Sequence, residues 1–197
     1  MPMKMNLTTL IGTALFALPL AASAAENFSY RYVDLARYME AEIDSDNVDV
    51  DGDGIQLRGS LPVYQNFFAL AEYETLDLDG GIDTTRLLIG AGGHWALGPD
   101  LDLIARGGIV SYDIDYGRFD DDDTGLFIGA RIRTIVAPKI EVEAGVEHFE
   151  FEVAGVDGDT YIIGEARYNF TSQWSAGAII TLGGDQSVIG AQGRFNF

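Results

Sequence analysis

The sequence predicts an all-β fold, an antiparallel up-and-down transmembrane β-barrel of ten strands, from three observations. Segments in which apolar and polar residues alternate recur along the 197 residues. The connections between them alternate between short turns and acidic stretches. The final segment, Ser187 to Phe197, sets Ile189, Ala191, Phe195 and Phe197 on one face against Gln192, Arg194 and Asn196 on the other. A strand between lipid and a polar lumen requires this dyad alternation.

The N-terminus predicts export. Lys4 is the only charged residue before Glu26, and it precedes an apolar run from Leu7 to Leu20 that is followed by Ala22-Ser-Ala24. This pattern marks residues 1–24 as a signal peptide and residues 25–197 as one barrel domain. The apolar run is shorter than the roughly 20 residues that a spanning helix needs. With no cysteine, the chain has neither a disulfide framework nor a thiolate metal site. Once Lys4 is removed, 11 basic residues face 31 acidic ones, a net charge of −20. That balance excludes nucleic acid as a partner, because phosphate binding relies on Lys and Arg.

The first strand, 28–39, has mixed parity: Tyr30 and Tyr32 oppose Val33 and Leu35, so pattern alone does not assign its register; a bulge near Asp34 would reconcile them, and the sequence does not say whether one exists. The second, 54–63, alternates Ile55, Leu57, Leu61 and Val63 with Gln56, Arg58 and Ser60. In the third, 67–76, Glu72 and Glu74 mark the inner side; in the fourth, 85–96, Arg86 opposes Leu87, Ile89, Ala91 and Trp95. The fifth, 101–112, turns Asp102 and Arg106 inward, and the sixth, 125–136, sets Arg131 and Arg133 against Leu126, Ile128, Ala130 and Ile132. The seventh, 140–152, contributes Glu141, Glu143 and Glu147, and the eighth, 160–170, Glu165 and Arg167. The ninth and tenth, 174–182 and 187–197, add Arg194. Seven arginines and seven carboxylates therefore share the lumen, which predicts ion pairs across it, since an unpaired buried charge is costly. Tyr30, Tyr64, Tyr73, Trp95, Tyr112, Tyr168 and Trp174 lie near strand ends, as interfacial girdles require. An eight-stranded barrel is the alternative, with the final pair, joined by the very short loop at Asp185, as the one at risk.

Short turns at 62–66, 97–100, 137–139 and 171–173 fall on one rim, and acidic stretches at 40–53, 77–83, 113–123, 152–159 and 183–186 on the other. Barrels in the bacterial outer membrane place their short turns in the periplasm. The acidic stretches carry 20 carboxylates against Arg118, so nearly all the net charge sits on the presumed outer rim. Hard oxygen donors suit Ca²⁺ or Mg²⁺. The candidates for weak binding are Asp49, Asp51 and Asp53, and Asp120, Asp121, Asp122 and Asp123. The segment Asp49 to Gly54 begins like an EF-hand loop but has Ser60 where the motif needs a bidentate Glu. No other cofactor is expected.

Phe28-Ser-Tyr-Arg-Tyr32, Gly54-Ile-Gln-Leu-Arg-Gly-Ser-Leu61 and the closing Gly193-Arg-Phe-Asn-Phe197 resemble the small outer-membrane β-barrels of the OmpA/OmpX-like superfamily. The resemblance implies insertion by the barrel-assembly machinery, contact with outer-membrane lipid and lipopolysaccharide, and roles in surface properties, adhesion or stress tolerance. Ending at Phe197, the chain is expected to lack the peptidoglycan-binding domain of long OmpA-type proteins. Oligomeric state is not legible.

Barrel enzymes acting on lipid A or on peptides resemble this architecture too, and several need a His beside Ser or a carboxylate. His94 and His148 have no Ser nearby in sequence, although His148 lies beside Glu147 and Glu150. A pore is disfavoured because small barrels fill with their own side chains. A non-enzymatic surface barrel is the expectation, with a narrow cation-selective channel or a lipid A enzyme as alternatives.

Overall fold

The computed structural model describes residues 28–45, 48–117, 119–150, 152–153, 156–157, 159–184 and 186–197. The predicted signal peptide lies outside them. The described residues form twelve strands: β1 (Tyr32–Ser45), β2 (Val48–Tyr64), β3 (Phe67–Leu78), β4 (Ile82–Gly98), β5 (Leu101–Tyr116), β6 (Phe119–Ala137), β7 (Ile140–Glu150), β8 (Glu152–Val153), β9 (Val156–Asp157), β10 (Thr160–Asn169), β11 (Trp174–Gly183) and β12 (Gln186–Asn196). β8 and β9 pair as a separate two-stranded ribbon, and the other ten close into one antiparallel barrel. Ten strands, rather than eight, is the observed count.

The predicted strand ends on the short-turn rim agree closely with the observed ones, whereas the outer ends run further. β1 and β2 pair through Ser45 and Val48, and β5 and β6 through Tyr116 and Phe119. The stretches expected as loops at 40–53 and 113–123 are therefore mostly paired strand. Aspartate is a poor strand former, but beyond the membrane its side chain is solvated while the ladder satisfies the backbone. At the tip between β3 and β4, Gly80 and Gly81 supply left-handed φ values of 86° and 75°.

Pairing assigns the register of the first strand, which the sequence leaves open. No bulge forms near Asp34; pairing with β12 is regular from Tyr32 to Tyr38, and the register shifts only between Tyr38 and Glu40. Tyr32, Asp34, Ala36 and Tyr38 thus share the inner parity, while Val33, Leu35 and Met39 face outward. Residues 28–31, expected as strand, precede β1, with Phe28 and Tyr30 buried in the barrel. Tyr30 is therefore no girdle residue, and Tyr112 lies opposite the inward Arg86. Tyr64, Tyr73, Tyr168 and Trp174 are exposed on the wall, as a girdle requires.

The outer wall is apolar: Leu57, Ile89, Leu126, Ile128 and Ile162 are each at least 42 % exposed. The lumen is packed rather than open. Besides its charges it contains one apolar cluster around Phe68, Leu70, Leu88, Val110, Phe127 and Phe149, and another around Tyr38, Leu76, Leu78, Ile179 and Val188. Such filling is what a barrel of this strand number permits.

Candidate functional site

Strand pleat aims alternate residues inward, so charges placed two apart on one strand meet charges from its neighbours and from across the lumen. Of the fourteen predicted lumen residues, Arg86 is half-buried and the other thirteen are buried. Asp34 joins them at 1 % exposure. Sequence reading missed it because the mixed aromatic pattern of the first strand obscured its parity.

Glu165 on β10 is the hub. It accepts from Arg58 of β2, across the lumen, from Arg131 of β6 at 3.2 Å, from Gln192 at 3.1 Å, and from Arg167. Arg58 also donates to Asp34 at 2.8 Å, and Arg194 grips the same carboxylate bidentately at 2.6 and 2.7 Å. On the other side Arg131 reaches Glu147 at 2.8 Å and Glu143 at 3.0 Å, while Arg106 bridges Glu72 and Glu147 at 2.6 and 2.9 Å. Arg133 forks onto Glu141 at 2.8 and 3.1 Å, and Arg167 bonds Glu141 and Glu143. Nearer the outer mouth, Arg86 and Tyr38 each donate to Glu74 at 2.8 Å, and Gln56 does so at 3.1 Å. Buried charges survive when paired and bonded in this way. The lattice ties together strands that share no ladder: β2 to β10, β3 to β5, and β5 to β7. A cavity of about 20 Å³ within this layer, against Arg58, Glu72, Arg131 and Glu147, has room for a single water.

Below the lattice, the periplasmic mouth has a floor that sequence reading did not foresee. The Tyr30 ring stacks on His94 at 3.7 Å between centroids and on Phe68 at 5.2 Å. Its hydroxyl donates to Asp102 at 2.9 Å, whose carboxylate lies 3.5 Å from His94 Nδ1. Arg133 covers both Phe28 and Tyr30, at 4.9 and 5.2 Å from the ring centres, and donates to the Ser29 carbonyl at 2.9 Å. Ser60 donates to the Tyr30 carbonyl at 2.8 Å. Asp102, expected among the arginines, thus serves the aromatic floor. Burial pushes the Tyr30 phenol well above its ordinary pKa, so it stays a neutral donor.

The acidic candidates do not converge on a metal. Asp53 pairs with Arg37 on the outer face. Asp51, Asp121 and Asp122 are exposed and Asp123 half-buried, while the side chains of Asp49 and Asp120 lie outside the described residues. Among the described residues, no group of three or more His, Asp or Glu side chains is arranged to hold a metal ion. What forms instead is a row. Asp53 faces Asp77, Asp77 faces Asp83, and Asp83 faces Asp115, across four neighbouring strands. Like charges directly opposite each other repel.

The two histidines separate. His94 is sealed in the floor, whereas His148 points outward from β7, where its Nδ1 lies 3.0 Å from Thr160 Oγ1. Thr160 is distant in sequence, and only the pairing of β7 with β10 brings it there.

Residues 10–170 match the family model described as outer membrane protein beta-barrel domain. A comparison with curated proteins finds no match. Among solved structures, the chain is similar to an outer membrane channel from Pseudomonas putida F1, with 12 % identity, a TM-score of 0.55, and coverage of 92 % of this chain and 100 % of that one. It is also similar to the beta domain of the Bordetella autotransporter BrkA, with 15 % identity, a TM-score of 0.51, and coverage of 85 % and 100 %. Similarity to Neisserial surface protein A is lower, with 14 % identity, a TM-score of 0.48, and coverage of 86 % and 98 %.

Proposed function

Because this chain belongs to the outer membrane protein beta-barrel domain family, we propose that it is a non-enzymatic, non-conducting barrel of the bacterial outer membrane. Its task is to hold acidic hairpins at the cell surface, in a structural, adhesive or envelope-stress role. The filled lumen supports this reading most directly. Aromatic floor, arginine–carboxylate lattice and apolar outer cluster succeed one another along the barrel axis and fill it with buried side chains. In a planar bilayer the purified protein is expected to give no resolved current steps. Stable single-channel openings would overturn the reading in favour of a narrow cation-selective channel.

The surface role rests on the hairpins. Their aspartate row is too extended for a chelate, and it suits loosely held divalent cations that relieve repulsion and bridge to the anionic lipopolysaccharide around the barrel. Calcium is therefore expected to raise the unfolding midpoint relative to chelator, and Asp115→Asn to shrink that difference. Each relieved like-charge pair is worth about 0.2–1 kcal/mol. Identical midpoints in calcium and chelator would remove the cation part of the proposal and leave the barrel intact. Export by the N-terminal segment and insertion by the barrel-assembly machinery belong to the same proposal.

A further inference from the structure

The two ladders of β6 differ in length. On one side β6 pairs with β5 out to Tyr116 and Phe119, whereas on the other its pairing with β7 begins only at Leu126 and Glu150. Residues 119–125 therefore form a strand edge with no ladder partner among the described residues. β8 lies next to β6, but its two residues pair only with Asp157 and Val156 of β9. Counted from the periplasmic end of β6 at Ala137, Leu126 is the twelfth of 19 residues. A tilted strand crosses the hydrocarbon in about 9–11 residues. The unpaired edge thus stands beyond the membrane, in water.

An exposed edge offers a row of backbone donors and acceptors and recruits other strands unless its side chains prevent it. Here the side chains select. Asp121 and Asp122 are exposed and Asp123 is half-buried. Successive side chains point to opposite faces, so both faces of the edge carry carboxylate. A second copy of the edge would set aspartate against aspartate, and like charges directly opposite repel. A strand with three consecutive basic residues would instead place one opposite each aspartate, and opposite charges stabilise such a ladder. The surroundings act in the same direction, because the acidic stretches carry 20 carboxylates against Arg118 and their field draws cationic partners to this rim.

We propose that this edge of β6, residues 119–125, docks an extended basic polypeptide segment. The segment adds to the sheet as an antiparallel strand, with a run of Lys or Arg opposite Asp121, Asp122 and Asp123. Backbone bonds hold it, and the aspartates choose it. The incoming strand takes the line that β7 leaves at Glu150 and has only the two residues of β8 to move aside. The site rests on the surface reading and names the partner chemistry of an adhesive role.

The test uses the full chain folded in detergent, with heat-modifiable gel mobility confirming the barrel in every sample, and the fluorescein-labelled peptide Thr-Val-Lys-Arg-Lys-Val-Thr as probe. Fluorescence anisotropy is expected to show saturable binding. Replacing the basic residues of the peptide by Gln, or combining Asp121→Asn, Asp122→Asn and Asp123→Asn in the protein, should each weaken it about tenfold, the product of three cross-strand pairs. A peptide N-methylated along its core keeps its charge but cannot donate to a ladder, and should bind about tenfold more weakly. Hydrogen exchange of residues 119–125 should slow when the peptide is bound. Equal binding of the methylated peptide would reduce the effect to charge attraction and overturn the proposal. Equal binding by the triple variant, or unchanged exchange at 119–125, would overturn it too. The surface reading is checked separately: Asp79→Cys, at an exposed position on the rim, should react with a membrane-impermeant maleimide on intact cells. No reaction would strike at the surface reading, whereas a reactive barrel that ignores the peptide would overturn this site alone.

Discussion

Glu165→Leu is expected to lower the unfolding free energy by about 3–5 kcal/mol, the cost of leaving buried charges without their partner. The effect is large because three arginines converge on this carboxylate. Arg58 and Arg167 would each keep another acceptor, in Asp34 and Glu141, but lose the bond that joins them, and Arg131 would lean wholly on Glu143 and Glu147. Gln192 would lose an acceptor as well. Water is a poor substitute for the lost oxygens, because the cavity in this layer has room for a single molecule. Glu165→Gln keeps one acceptor oxygen and should fall between the leucine variant and wild type. Urea titration of lipid-reconstituted protein, with the heat-modifiable band as the folded signal, measures both. A leucine variant within about 1 kcal/mol of wild type would mean that the lattice contributes no more than exposed surface pairs do.

Tyr30→Ala is the second large effect, expected to cost about 3–5 kcal/mol, as for other buried aromatic truncations. It empties the space between His94 and Phe68 and leaves the Asp102 carboxylate without the phenol proton. Tyr30→Phe isolates that hydrogen bond and should cost less, about 1–3 kcal/mol. Neither variant is expected to conduct in a planar bilayer, because the arginine layer above the floor still fills the lumen. A current appearing in Tyr30→Ala alone would make the Phe28–Tyr30 segment the sole seal.

The wall and most of the lattice were legible because the pleat has a period of two: once Phe195 and Phe197 set the outward face, Arg194 and its counterparts on the other strands had to face inward. The strand count followed from turns such as Pro138-Lys139 and Leu97-Gly-Pro-Asp100, which mark the periplasmic rim chemically. The outer strand ends were not legible. Asp113, Asp115 and Asp120 to Asp123 read as loop by composition, and backbone pairing between β5 and β6 outweighs that propensity where side chains are solvated. Asp34 and Tyr30 were hidden by the aromatic run that opens the domain, whose rings suit a girdle and a lumen equally well. The meeting of His148 with Thr160 depends on pairing register across a connection that itself contains the β8–β9 ribbon, and residue spacing alone does not fix such a register.

The clasp between Arg194 and Asp34 joins residues 160 apart in the chain, across the seam where β12 meets β1. Its two halves arrive at opposite ends of synthesis. Until the last strand docks, Asp34 on the opening strand lacks the bidentate partner that makes its burial tolerable. Closure is thus the longest-range pairing of the fold, and it doubles as a check of completeness: a chain that stops short of β12 leaves the Asp34 carboxylate with Arg58 but without its bidentate partner, and cannot settle as a smaller barrel without penalty.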